Sequence, residues 1–197
     1  MTEDEINPYA KIRALANINA TEDNIDNALD SDDAYIRSNT IKNPNASPNN
    51  IDKALDDSNY QVKVTAIKNS NASEANISKA LNDRDNDIRY YAIRNPNASP
   101  NNIDKALNDK IAYIRLYAIH HPNASPDNIN KALSDTDPSV REYAISHKNV
   151  TTANINKALD DNDVRVKAMA ANHPTASPAN KEKAANDPIL IEYLLKQ

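Results

Sequence analysis

Histidines and clustered carboxylates are the first side chains to weigh for chemistry, because such groups hold metals and move protons. The chain has four histidines, His120, His121, His147 and His173, and it crowds aspartates at Asp30, Asp32 and Asp33 and again at Asp160, Asp161 and Asp163. Neither grouping points to catalysis. Adjacent residues at a helix end face different ways, so His120 and His121 do not converge on one ligand. The aspartate clusters lack the glycine turn and terminal glutamate of a calcium loop and read as helix caps and solvated charge. The sequence also has no Cys and no Gly. That removes thiolate catalysis, disulfides, iron–sulfur and thiolate–zinc sites, and every glycine-dependent phosphate loop, dinucleotide turn or nucleophile elbow. No catalytic residue, metal or cofactor is expected. Binding chemistry remains: Tyr91, Tyr113, Tyr117 and Tyr143, with Tyr90 adjacent, beside Lys68, Arg94 and His120. Tyrosine offers a large apolar ring and a polar tip at little rotamer cost, which suits partner contact.

The elements that must position these groups follow from an internal repeat. Asn-Ala-Ser recurs at Asn45, Asn71, Asn97 and Asn123, with variants at Asn19, Asn149 and Thr175, always 26 residues apart. An interval kept without insertion marks a repeat array rather than an ordinary globular fold. In the unit from Asn97, Ser99-Pro100 reads as an N-cap with proline at the first helical position. Ile103, Ala106 and Leu107 then fall on one helical face, and a second helix carries Ile114, Ala118 and Ile119 inward before Pro122 stops it. Each unit is thus expected to be two helices of about 9–10 residues, too short to persist alone.

Comparing the units with one another separates scaffold from surface. Ile and Leu columns, Ile25 to Ile155 and Leu29 to Leu159, are core. An Asn three residues after each cap, from Asn24 to Asn180, is expected to close a shortened capping box or to ladder between repeats. A basic column (Arg37, Lys63, Arg89, Arg115, Arg141, Lys167) and an acidic one (Asp57, Asp83, Asp109, Asp135, Asp161, Asp187) are expected to pair across repeats, the Asp also capping the second helix. Three of the histidines occupy the position of Asn43, Asn69 and Asn95, which implies a turn role. With 31 Asn and no Gly, Asn is expected to supply the left-handed or irregular turn conformations. Three second-helix positions instead change from unit to unit. They hold Tyr35, Asn39, Lys42; Gln61, Thr65, Lys68; Asp87, Tyr91, Arg94; Tyr113, Tyr117, His120; Ser139, Tyr143, Ser146; and Arg165, Met169, Asn172.

The stretch from Asp137 to Pro178 resembles the leucine-rich repeat variant family, whose units carry an acidic turn, Val-Arg, a small apolar pair, Asn-Pro and a Thr/Ser-Pro helix start. It is also similar to short HEAT-like repeats, which share the Asp…Val-Arg…Ala pattern. The resemblance extends over nearly the whole chain and implies an all-α fold, a right-handed α-solenoid of two-helix repeats. The 26-residue spacing itself gives the expected organisation, a single solenoid domain with a half-repeat cap over 1–18 (Tyr9, Ala14 and Leu15 at second-helix positions), six repeats over 19–174 and a capping repeat over 175–197 ending in an apolar helix. One departure matters, since without Cys the iron–sulfur cluster of that variant family has no ligands here. HEAT-like alkylpurine DNA glycosylases resemble the chain only in helical stacking, because their Trp-containing base pocket is missing.

A net charge of −5 is not that of a generic nucleic-acid binder. The acidic start MTEDEINPY and the lack of an apolar run of about 18 residues predict no membrane partner and a cytoplasmic monomer. Asn, Ile and Lys usage fits an AT-rich bacterial or phage genome. The expected function is a non-catalytic scaffold that binds, inhibits or sequesters another protein through the variable stripe. The alternative is a nucleic-acid or nucleotide module using the tyrosines with Lys42, Lys68, Arg94 and Arg165.

Overall fold

The computed structural model describes residues 20–196; the expected cap over 1–18 lies outside them. Among the described residues there are fourteen α-helices and no strand. The first helix of each unit is α1 (Glu22–Ala28), α3 (Pro48–Leu55), α5 (Glu74–Ala80), α7 (Pro100–Ala106), α9 (Pro126–Ala132), α11 (Thr152–Ala158) and α13 (Pro178–Ala185). The second is α2 (Ala34–Thr40), α4 (Tyr60–Ile67), α6 (Asn86–Ile93), α8 (Ala112–His120), α10 (Pro138–Ser146), α12 (Val164–Ala171) and α14 (Pro188–Leu194). They run 7 to 9 residues, shorter than the apolar pattern suggests. The difference arises because residues such as Leu107 pack in the core from the C-cap position, one step beyond the last helical residue.

Two compact units divide the chain, Met1–Ala98 with α1–α6 and Ser99–Gln197 with α7–α14. Each is an all-α solenoid of stacked helix pairs, in which first helices pack on first helices and second on second. Ile51 and Ile77 in one unit, and Ile103, Ile129 and Ile155 in the other, are wholly buried, with the facing Val62, Ile114, Val140 and Val166. A single pair has nothing to set against this apolar face, so neighbouring pairs complete one another's core.

Seven first helices begin with the same reciprocal device. The Ser or Thr hydroxyl accepts the N–H of the Asn three residues on, and that Asn's Oδ1 accepts the cap N–H, as in Ser125 and Asn128 (3.2 and 2.9 Å). Its amide also ladders between repeats: Asn76 Nδ2 donates to Pro48 O (3.1 Å) and Asn128 Nδ2 to Pro100 O (3.2 Å). Both expected roles of this Asn are therefore filled by one side chain. A glutamate would close the box but has no N–H for the second bond.

Two expectations are corrected. The acidic column pairs with the basic one, but the second-helix caps are the residues two positions later, Asn59, Asp85, Asp137 and Asp163. Asp57 and Asp135 instead accept the N–H of those cap residues (2.7 and 2.9 Å); only Asp187 both pairs and caps. Nor do the asparagines supply left-handed turns, since no described residue has a positive φ. In Asn43-Pro44-Asn45-Ala46, the Ala46 N–H donates to Asn43 O (3.0 Å) and the Asn45 N–H to Asn43 Oδ1 (2.8 Å). Proline at the second position fixes the negative φ such a turn needs, and the Asn side chain caps it.

Candidate partner-binding surface

The repeating charges are consumed by the fold. Arg37 grips Asp57 through Nε and Nη2 (2.6 and 2.9 Å), Arg115 grips Asp135 (2.7 and 2.8 Å) and Arg141 grips Asp161 (2.8 and 2.9 Å), while Lys63 meets Asp83 and Lys167 meets Asp187. The guanidinium also donates back to its own turn, as Arg141 Nη1 to Asp135 O (2.9 Å). The hydrogen bond from Arg37 holds the Asp57 carboxyl below its ordinary value, and Arg37 is raised in turn. The basic column is thus not a free phosphate track. Sequence reasoning missed a second ladder on the first helices: Lys53 with Asp26 and Asp30, Lys79 with Asp52 and Asp56, Lys131 with Asp104, and Lys183 with Asp160. Its lysine column is as regular as the arginine one, but the acceptors alternate between Asp, Asn and Ser, which hides it.

Three of the histidines, His121, His147 and His173, behave as asparagine substitutes. Asn69 accepts the Asn71 N–H at Oδ1 (2.8 Å) and donates from Nδ2 to Ile41 O and Asn43 O. At the matching position His147 accepts the Asn149 N–H at Nδ1 (3.1 Å), which leaves Nε2 carrying the proton toward His121 O (3.2 Å). His121 is buried and its neighbour His120 is exposed, so the two rings do face apart. Among the described residues no group of three or more His, Asp or Glu is placed to hold a metal ion.

In the first unit Lys68 and Arg94 are the C-caps of α4 and α6, and Tyr90 and Tyr91 sit side by side on α6 with ring centroids 5.3 Å apart. Lys68 Nζ lies 3.8 Å above the Tyr91 ring, and Arg94 stacks over Tyr90 (5.1 Å) while donating to its hydroxyl (2.8 Å). The structure thus brings together four of the eight expected contact residues within this unit. In the second unit Tyr113 and Tyr117 lie one turn apart on α8, and His120 at its end meets the exposed Tyr143 of α10 edge-on at 5.6 Å. Arg165, one of the cations of the nucleic-acid alternative, is held by Asp163 (2.9 Å) and Glu142 (3.2 Å).

Two clefts open along the first unit's stripe. One of about 460 Å³ is lined by Lys42, Pro44, Gln61, Thr65, Lys68, Asn69 and Ser70, and the next, of about 240 Å³, by Lys68, Tyr91, Arg94, Asn95 and Pro96. Sequence reasoning placed Gln61 and Thr65 in the stripe without making them contact residues, and used Lys42, at the unit position of Lys68, only in the nucleic-acid alternative.

No protein-family model and no curated protein matches the chain. Among solved structures it is similar to a leucine-rich repeat variant described as having a novel repetitive protein structural motif. The TM-score is 0.63 at 16% identity, over 95% of this chain and 80% of that one. At that identity the likeness shows the fold alone, an all-α fold of repeated helix pairs.

Proposed function

We propose that the chain is a non-catalytic scaffold that binds another protein through the variable face of its second helices, holding or inhibiting it. One observation carries this reading. Outside α14 and its C-cap Leu195, the large apolar side chains left exposed among the described residues are Tyr35, Tyr60, Tyr113, Tyr143 and Met169, and all but Tyr60 occupy the unit positions that vary. Exposed aromatic area at the non-repeating positions of stacked helix pairs is what a specific contact surface requires. No helix among the described residues is long and apolar enough to cross a membrane.

The nucleic-acid alternative draws less support. Stacking of bases needs bare ring faces, and in the first unit Lys68 and Arg94 already lie over Tyr91 and Tyr90. The reading is tested by immobilising the native chain and a Tyr113→Ala/Tyr143→Ala variant in parallel and comparing what each retains from an extract. The expected result is a protein kept by the native chain and lost from the variant at unchanged melting temperature. Equal retention by both removes the stripe as the site, and retention of salt-sensitive nucleic acid alone favours the alternative.

A further inference from the structure

Lys42 and Lys68 differ from the cations that form the charge ladders of their unit. Among the described residues, Arg37, Lys53, Lys63 and Lys79 each hold a carboxylate. No described carboxylate lies within ion-pairing distance of Lys42 or Lys68: Lys42 Nζ donates to Asn39 Oδ1 (2.9 Å), and Lys68 rests on the Tyr91 ring. A cation resting on a half-buried ring keeps its full charge, so it still attracts an anion. Both line the larger cleft, Lys68 and Arg94 line the smaller, and neither cleft has a carboxylate in its lining. In a chain with 28 acidic residues against 23 basic ones, two successive clefts lined by cations and by no carboxylate are a local inversion of charge. Helix-end electrostatics alone does not explain it. Cations favour helix C-termini, yet α8, α10 and α12 form with His120, Ser146 and Asn172 at the matching positions.

We infer that these clefts bind an acidic segment of a partner protein, one carboxylate between Lys42 and Lys68 and the next between Lys68 and Arg94. This deepens the scaffold reading and rests on it. Adjacent helix layers are about 8–10 Å apart. An extended segment with three residues per turn and about 3.1 Å rise repeats a face every 9 Å or so, so acidic side chains three residues apart match the two clefts. Gln61, Thr65 and Ser70 add polar groups to the first cleft, and Tyr91 gives the second an apolar wall. A carboxylate peptide is favoured over a polynucleotide because it carries few charges into the field of an acidic protein and needs no bare aromatic platform.

The test uses the full chain and a fluorescein-labelled peptide of four Glu-Ala-Pro repeats, beside its Gln-Ala-Pro counterpart and a twelve-nucleotide single-stranded DNA, each titrated at low salt. The Glu peptide should bind and the Gln peptide should not, with binding that weakens as salt screens the charges. Lys68→Ala, which touches both clefts, should cost about tenfold in affinity and Lys42→Ala less, while Lys148→Ala should cost nothing. Melting temperatures of all variants should match the native chain, and Lys68→Gln gives a second variant that keeps the aliphatic stem. Equal binding of both peptides, or unchanged affinity in Lys68→Ala and Lys68→Gln, overturns the assignment, as does binding of the DNA alone. If the peptide fails while a protein partner is still lost from the Tyr113→Ala/Tyr143→Ala variant, this inference falls and the scaffold reading stands.

Discussion

At the scale of single residues, the fold is held by side chains that do two jobs at once. Asn128 closes its helix cap through Oδ1 and reaches the preceding repeat through Nδ2, and it is buried. Asn128→Asp keeps the acceptor but sets a carboxylate oxygen against Pro100 O, so stability should fall by about 1–3 kcal/mol, read as a lower denaturation midpoint. His147 shows the same economy with a titratable ring. Burial, reinforced by Lys148 and His120 and opposed by the His121 carbonyl, lowers its pKa in the folded chain. The unfolded chain therefore takes up a proton near the ordinary histidine value of about 6.5 while the folded chain resists it. Stability is full above that pH and declines as pH falls below it, until the folded ring also protonates. His147→Asn reproduces both hydrogen bonds without titrating, so the drop in melting temperature between pH 7 and pH 5.5 should be smaller in the variant. An equal drop would place the acid sensitivity elsewhere.

At the scale of the helix, propensity explains little, because segments of 7 to 9 residues are unstable alone. Caps, the buried Ile and Leu columns and the two charge ladders stabilise them instead. The arginine rungs are mostly buried, with side-chain exposures of 13% for Arg115 and 7% for Asp135, so removing one partner strands a charge and costs about 3–5 kcal/mol. The outer lysine ladder has a missing rung. Lys157 finds Asn130 O (2.5 Å) and Ser134 Oγ (2.8 Å) where Lys79 and Lys183 find Asp56 and Asp160, and burial lowers its pKa. Ser134→Asp should restore the pair and raise stability by about 0.2–1 kcal/mol, visible in the denaturation midpoint at low salt and reduced at high salt. No gain at low salt would show that Ser134 and Asn130 already satisfy Lys157.

At the scale of the molecule, what repeats is structure and what does not repeat is surface. The repeat unit, its helix starts, its core columns and its inter-repeat ion pairs were legible because 26-residue spacing compares the chain with itself. Three things were not. The turn conformation depends on where an Asn side chain bonds, not on its tolerance of positive φ; the lysine ladder lacks a constant acceptor; and Lys68 reaches the Tyr91 ring from the neighbouring repeat, an alignment that only packing sets. The last helix also differs in detail from a plain apolar cover, seating Leu190 in the core while Ile189, Ile191, Leu194 and Leu195 stay exposed.

The division between scaffold columns and contact stripe is tested most directly by calorimetric titration of a captured partner into the native chain and the Tyr113→Ala/Tyr143→Ala variant, with melting curves on both. The account predicts affinity lower by about tenfold or more, as for aromatic residues that carry interface energy, with no change in melting temperature. Undiminished affinity in the variant, or a loss that only accompanies unfolding, would contradict it.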